Sequence, residues 1–96
     1  MSSEKSIKYR LRLSIKAQKY LTGISKKTAT RILDKISTLK TDPHHAPGVK
    51  PLKGQLAGFY RLRIGNYRAV YRINENDYIV IVMIIGIRGN VYNKIR

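Results

Sequence analysis

"FYRLRIGNYRAVYRI", Phe59 to Ile73, is the stretch that decides the fold. Apolar and basic residues alternate on either side of Gly65-Asn66, so it reads as a β-hairpin whose two-residue turn has glycine at its first central position. In that register Ile64 faces Tyr67, Arg63 faces Arg68, Leu62 faces Ala69 and Tyr60 faces Tyr71. Tyr60, Leu62, Ile64, Tyr67, Ala69, Tyr71 and Ile73 then share a core face, while Arg61, Arg63, Arg68 and Arg72 point the other way. Like charges directly opposite on neighbouring strands destabilise a sheet. The Arg63/Arg68 pair makes sense if a phosphate or carboxylate sits between the two guanidinium groups, whose planar forks make bidentate bonds to such oxygens. A solvated basic face with its arginines splayed into water accounts for the same pattern, since charge runs are usually surface.

Upstream, "SIKYRLRLS" alternates Ile7, Tyr9, Leu11 and Leu13 with Lys8, Arg10 and Arg12, the period of a half-buried strand with a wholly basic polar face. Ser14 is a helix cap before Ala17, Tyr20 and Leu21, and Gly23 suits a left-handed exit. Ser25 caps a second helix in which Ile32, Leu33, Ile36 and Leu39 form one stripe and Lys26, Lys27, Arg31 and Lys35 lie mostly off it. Asp42-Pro43 stops it, because proline disfavours helical geometry in the preceding residue. "DPHHAPGVKPLKG", residues 42–54, holds all three prolines and reads as a loop or extended connection presenting Lys50 and Lys53. Downstream, "NEND" at 74–77 is a turn into Tyr78 to Ile85, apolar on both faces and so a central strand. The order predicts an α+β domain over 1–96: a strand, a two-helix hairpin, then a three-stranded antiparallel meander, in one sheet with the helices on one face. Residues 1–6 read as disordered.

Twenty Lys+Arg against five Asp+Glu give a formal charge of +15 in 96 residues, and the basic residues run from Lys5 to Arg96. A small domain with that imbalance repels itself, so a polyanionic partner is the natural reading. Lys8, Arg10, Arg12, Lys50, Lys53 and Arg72 can flank the hairpin arginines, which makes an RNA or DNA backbone the leading ligand. The absence of cysteine excludes disulfides, thiol chemistry and cysteine-ligated zinc; a reducing cytoplasm fits. The start lacks the apolar core of a signal peptide, and "YIVIVMIIGI" at 78–87 is too short to span a bilayer as a helix, so no membrane role is expected.

Conventional nuclease chemistry has little support in the acids. Glu4, Asp34, Asp42, Glu75 and Asp77 form no evident metal-binding cluster, so no metal and no cofactor are expected. His44 and His45 are acid–base candidates by type, but they are adjacent, sit in a proline-rich loop and have no evident carboxylate partner nearby in sequence. Exposed loop histidines are the favoured reading. Tyr92 lies four residues after Arg88, outside any apolar periodicity, and packing of the tail onto the sheet explains it as well as catalysis does.

The connection "KPLKG", the hairpin pattern Y-R-x-R-x-G-x-Y-R-x-x-Y and the closing "GIRGNVY" resemble the RelE-type toxins of the RelE/ParE superfamily over Ile7 to Tyr92. The resemblance implies a ribosome-dependent endoribonuclease that cuts mRNA in the A site without metal, the 2′-hydroxyl attacking the adjacent phosphate. Such cleavage needs a base, an acid and stabilisation of the extra negative charge. Carried over by position, Arg61 and Arg63 match basic strand residues that contact the phosphate, which are lysine in the best-known relatives. Arg68 matches the phosphate-stabilising arginine, Arg88 the basic residue on the leaving-group side, and Tyr92 the tyrosine proposed as base. An unperturbed tyrosine ionises near pH 10, so that last role calls for a cationic surround. The sequence departs from the family at Ile87, where relatives often have His or Lys, and in its shorter spacing from Arg88 to Tyr92. Implied partners are a RelB-like antitoxin, often acidic where it contacts the toxin, and the ribosome with its mRNA and rRNA. A ParE-like toxin that inhibits DNA gyrase, or a catalytically degenerate domain that only binds RNA or antitoxin, would use the same fold.

Overall fold

The computed structural model describes residues 8–89, 91 and 92 of the chain; Ile7 and the expected disordered start lie outside the described residues. The elements are β1 (Arg10–Leu13), α1 (Ile15–Thr22), α2 (Lys26–Ser37), β2 (Val49–Pro51), β3 (Tyr60–Ile64), β4 (Tyr67–Asn74) and β5 (Ile79–Ile87). They form one mixed sheet in the order β1-β5-β4-β3-β2. β5 lies between β1, which it pairs in parallel, and β4, antiparallel to it, and this position explains its two apolar faces. Val80, Val82 and Ile85 pack in the main core with Ala17, Leu21, Ile32 and Ile36 of the helices, whereas Ile84 joins Val70 and Val91 in a smaller cluster. The α+β architecture is as expected.

The β3–β4 hairpin has the register read from sequence, with Arg63 opposite Arg68 and Tyr60 opposite Tyr71. Gly65 turns it with φ of 58°, a left-handed value that glycine adopts without strain. Both caps form: Ser14 Oγ accepts from Ala17 N at 3.0 Å, and Ser25 Oγ accepts from Thr28 N at 3.2 Å. Ser14 also donates to the Met83 carbonyl at 2.6 Å, tying the start of α1 to β5.

Four details differ from the sequence reading. Gly23 is right-handed, with φ −91° and ψ −2°, and its N–H reaches the carbonyls of Lys19 and Tyr20, so α1 closes with an ordinary tightened turn. The α2 stripe is narrower than expected, because Ile32, Ile36 and Leu39 are buried but Leu33 is exposed. The proline-rich connection contains β2, whose Val49, Lys50 and Pro51 pair with Leu62, Arg61 and Tyr60; a proline is tolerated there because β2 is an edge strand. A register shift at Val70/Tyr71 moves the β4–β5 pairing from Val70–Ile84 to Tyr71–Val82. Such a bulge bends the strand and increases its twist. Among the described residues no helix is long and apolar enough to cross a membrane.

Tyr71 fastens the proline-rich loop to the sheet. It is fully buried, stacks on Tyr60 with ring centroids 5.6 Å apart, and donates its hydroxyl to the Pro43 carbonyl at 2.5 Å. Burial, above all, pushes its phenol well above the ordinary tyrosine value. The folded state therefore keeps this proton after the unfolded chain has lost it, so the stability involved is complete below about pH 10 and declines as pH rises beyond. Tyr71→Phe is expected to cost about 1–2 kcal/mol at neutral pH by stranding the Pro43 carbonyl. It should also flatten part of the alkaline decline; denaturant melts of both proteins at a series of pH values check this.

Candidate functional site

On the sheet face away from the helices, side chains fall in rows fixed by register. One row runs Lys50–Arg61–Val70–Ile84, the next Arg63–Arg68–Gly86, and a third Arg12–Ile81–Arg72. Arg63 N donates to the Gly48 carbonyl at 3.0 Å, away from β4, so Arg63 and Arg68 form a non-hydrogen-bonded pair. That is the closer of the two antiparallel pairings, with Cα atoms about 4.5 Å apart. Arg68 meets the crowding by turning to the hairpin tip, where Nη1 donates to the carbonyls of Gly65 at 3.0 Å and Tyr67 at 2.9 Å. Among the described residues its Nε and Nη2 donors have no hydrogen-bond acceptor. Arg61 Nη1 reaches the Gly48 carbonyl at 3.4 Å, a weak bond that leaves its fork available.

Desolvation, first, and then the positive charge of Arg61, Arg63 and Arg88 draw the Arg68 guanidinium below its ordinary pKa; Tyr92 acts in the opposite direction. Arg68 stays charged at any physiological pH. Among the described residues no lysine or arginine makes an ion pair; the two pairs seen are His44–Glu75 and His45–Asp42.

Gly86, opposite Arg68, lies against Val91 on this face. A Cβ at Gly86 would stand 3.7 Å from the Val91 Cβ, and Val91 is fully buried against Val70 and Ile84. Half-buried Tyr92 packs on the same cluster with Phe59, Leu52 and Met83. Arg88 is held at the tip by its N–H, which donates to the Asn66 carbonyl at 3.0 Å, and its side chain is exposed. Tyr92 thus packs on this apolar cluster and lies near enough to Arg68 for their charges to interact, so the two readings of this residue are compatible.

The structure brings Arg61, Arg63, Arg68, Arg88 and Tyr92 together, with Lys50 beside Arg61. Lys53 is exposed just beyond β2. Arg72 and Arg12 share a row toward the opposite end of the sheet, and Arg10 lies further along β1; Lys8 is exposed ahead of that strand. These outlying groups widen the positive face without joining the cluster. His44 has a carboxylate partner that its neighbourhood in sequence does not reveal: Nε2 lies 2.6 Å from Glu75 Oε2, and Tyr9 donates to Oε1 of the same carboxylate at 3.0 Å. This network is at the 74–77 turn, the far end of the sheet from Gly65. Among the described residues no group of three or more His, Cys, Asp or Glu could hold a metal ion.

Sequence reasoning passed over two residues. Gly86 carries no periodic signal, and Arg31 reads only as solvated helix surface, yet its Nη2 stands 3.1 Å from where a Cβ on Gly65 would be.

Residues 11–92 match the family model described as ParE toxin of type II toxin–antitoxin system, parDE. Toxin RelG of Mycobacterium tuberculosis is 36% identical over 45 residues, which are 47% of this chain and 52% of the relative, so the match spans about half the length of that curated relative. The structure is similar to the RelBE2 toxin–antitoxin complex of Mycobacterium tuberculosis, with TM-score 0.77 and 25% identity over 85% of this chain and 93% of the other. It is similar also to the archaeal RelE–RelB complex of Pyrococcus horikoshii, with TM-score 0.73 and 27% identity over 88% and 100%. A mutant of E. coli toxin RelE in the free state, 22% identical with TM-score 0.72 over 91% and 93%, shares the fold.

Gly86 supplies a direct test of this architecture. Alanine fits at ordinary contact distance, whereas Gly86→Leu is expected to lift Val91 and Tyr92 off the sheet at a cost of about 1–3 kcal/mol. The Tyr92 ring resonances in NMR spectra should move to solvent-exposed values in the leucine variant only.

Proposed function

The chain belongs to the ParE toxin family of type II toxin–antitoxin systems, within the RelE/ParE superfamily, and from that premise we propose that it is a metal-independent endoribonuclease that cuts mRNA in the ribosomal A site. The observation that carries the reading is the convergence of Arg61, Arg63, Arg68, Arg88 and Tyr92 at the hairpin tip, where no ion pair neutralises the arginines among the described residues.

In the reaction, the 2′-oxygen of one nucleotide forms a bond to the adjacent phosphorus as the bond from phosphorus to the 5′-oxygen breaks. The products are a 2′,3′-cyclic phosphate and a 5′-hydroxyl. Tyr92, as its phenolate, takes the proton from the 2′-hydroxyl, and the leaving 5′-oxygen takes a proton from solvent on the Arg88 side. The pentacoordinate phosphorane carries additional negative charge, which falls to Arg61, Arg63 and the Nε and Nη2 donors of Arg68. Because Nη1 of Arg68 is already anchored, its fork is oriented before substrate arrives, and little reorganisation is needed in the transition state. Lys50, Lys53, Arg72, Lys8, Arg10 and Arg12 attract and guide the polyanion. The partner that holds this activity in check is a RelB-like antitoxin, acidic where it meets the arginine face.

The family name also supports a second reading, a toxin that inhibits DNA gyrase without cutting RNA. Tyr92 seated beside the arginines favours the first, since gyrase-directed chemistry gives that phenol no role.

Mapping of mRNA 5′ ends after induced expression separates the two. Tyr92→Phe is expected to lower cleavage by about 10²–10⁴-fold and Arg68→Ala by about 10²–10³-fold, both with unchanged melting behaviour. Gyrase-dependent DNA breaks with intact mRNA would reverse the ranking.

A further inference from the structure

Arg31 leaves α2 toward the hairpin tip. The nearest acid in sequence is Asp34, three residues on along the same helix, yet the two make no ion pair, and among the described residues Arg31 has no such partner. Its guanidinium instead stands over Gly65, close enough that any side chain there would displace it. Between helix and hairpin lies an open groove of about 410 Å³, walled by Arg31, Asp34, Lys35 and Thr38 on one side and by Arg63, Ile64 and Gly65 on the other. The residues that line it include three cations and one carboxylate.

Arg63 belongs both to this groove and to the arginine face, because the pairing of β2 ends at Leu62 and leaves only the bond to the Gly48 carbonyl beyond it. A chain of phosphates leaving the cluster around that open edge meets Arg31 next.

We propose that the groove is a second phosphate subsite, which takes a backbone phosphodiester of the same single-stranded RNA whose neighbouring phosphate lies against Arg61, Arg63 and Arg68. The proposal rests on the reading of the arginine face as an RNA surface. Arg31 supplies a planar fork for two phosphate oxygens and Lys35 a mobile point charge. Asp34 repels a phosphate from the outer wall and directs it toward Arg31. Gly65 suits its left-handed φ, and a Cβ there would crowd the Arg31 guanidinium.

The test is binding of fluorescein-labelled 2′-O-methyl RNA, which cannot be cleaved, across a salt series. It uses one oligonucleotide just long enough for the arginine face and a longer one. For the longer RNA, Arg31→Ala should weaken binding about tenfold and reduce the slope of log K against log salt by about 0.7, the share of one phosphate on a single strand. The short RNA should bind the variant as it binds the unaltered protein, and Arg31→Lys should restore the slope but only part of the affinity. Equal affinity and slope for the longer RNA in Arg31→Ala would overturn the subsite. So would unchanged RNA binding with weakened binding of a polyglutamate peptide, which would assign the groove to an acidic protein. Melting curves of each variant separate a binding loss from a folding loss. If the Arg31 effect on RNA binding is present but no mRNA is cut, the subsite stands and the cleavage reading fails.

Discussion

Two arginines held side by side against their mutual repulsion are the constraint on which the rest of this structure depends. The turn at Gly65 fixes the register that sets Arg63 against Arg68, at the closer of the two antiparallel spacings. A like-charged cross-strand pair costs about 0.2–1 kcal/mol. On the reverse of the same two strands Leu62, Ala69 and Tyr71 are fully buried, and full burial of one large apolar side chain stabilises by about 1.5–3 kcal/mol. Core burial therefore outweighs the repulsion, and the folded sheet retains a concentrated positive site. Arg68 relieves part of the crowding through the carbonyls of Gly65 and Tyr67, which also orients its remaining donors.

The arginine face is not uniformly polar, and its small apolar cluster has a purpose of its own. Val70, Ile84 and Val91 make a seat beside the cations, and Gly86 leaves the clearance that lets Val91 and Tyr92 settle there. A phenol at this place is positioned by packing, with no need for a hydrogen bond to hold it. Charge and burial thus act on neighbouring rows of one sheet face.

Three of the five acids are placed away from this charge. Asp42, Glu75 and Asp77 belong to the loop and turn at the far end of the sheet, where His44 and Tyr9 engage Glu75 and His45 approaches Asp42. The same loop, anchored through Pro43 to Tyr71, runs on to Gly48, whose carbonyl receives Arg63 N and Arg61 Nη1. The polar network at one end therefore holds the strand edge that frames the other. Segregated charge of this kind steers a polyanion toward the positive end before contact.

The amino-acid sequence by itself determined the hairpin, its register and the identity of its two faces. Period-two alternation around a glycine turn depends only on local backbone geometry, so Arg61, Arg63 and Arg68 were legible without any tertiary information. The helix caps at Ser14 and Ser25 and the central place of β5 were legible for the same reason. Only the tertiary structure decided that Arg31 meets the hairpin tip, that Gly86 lies against Val91, that Tyr92 packs beside the arginine rows, and that His44 finds Glu75 across 31 positions. None of these contacts has a period. Each depends on where separate elements come to rest once the core has closed, and a chain pattern holds no record of distances between residues that meet only through packing.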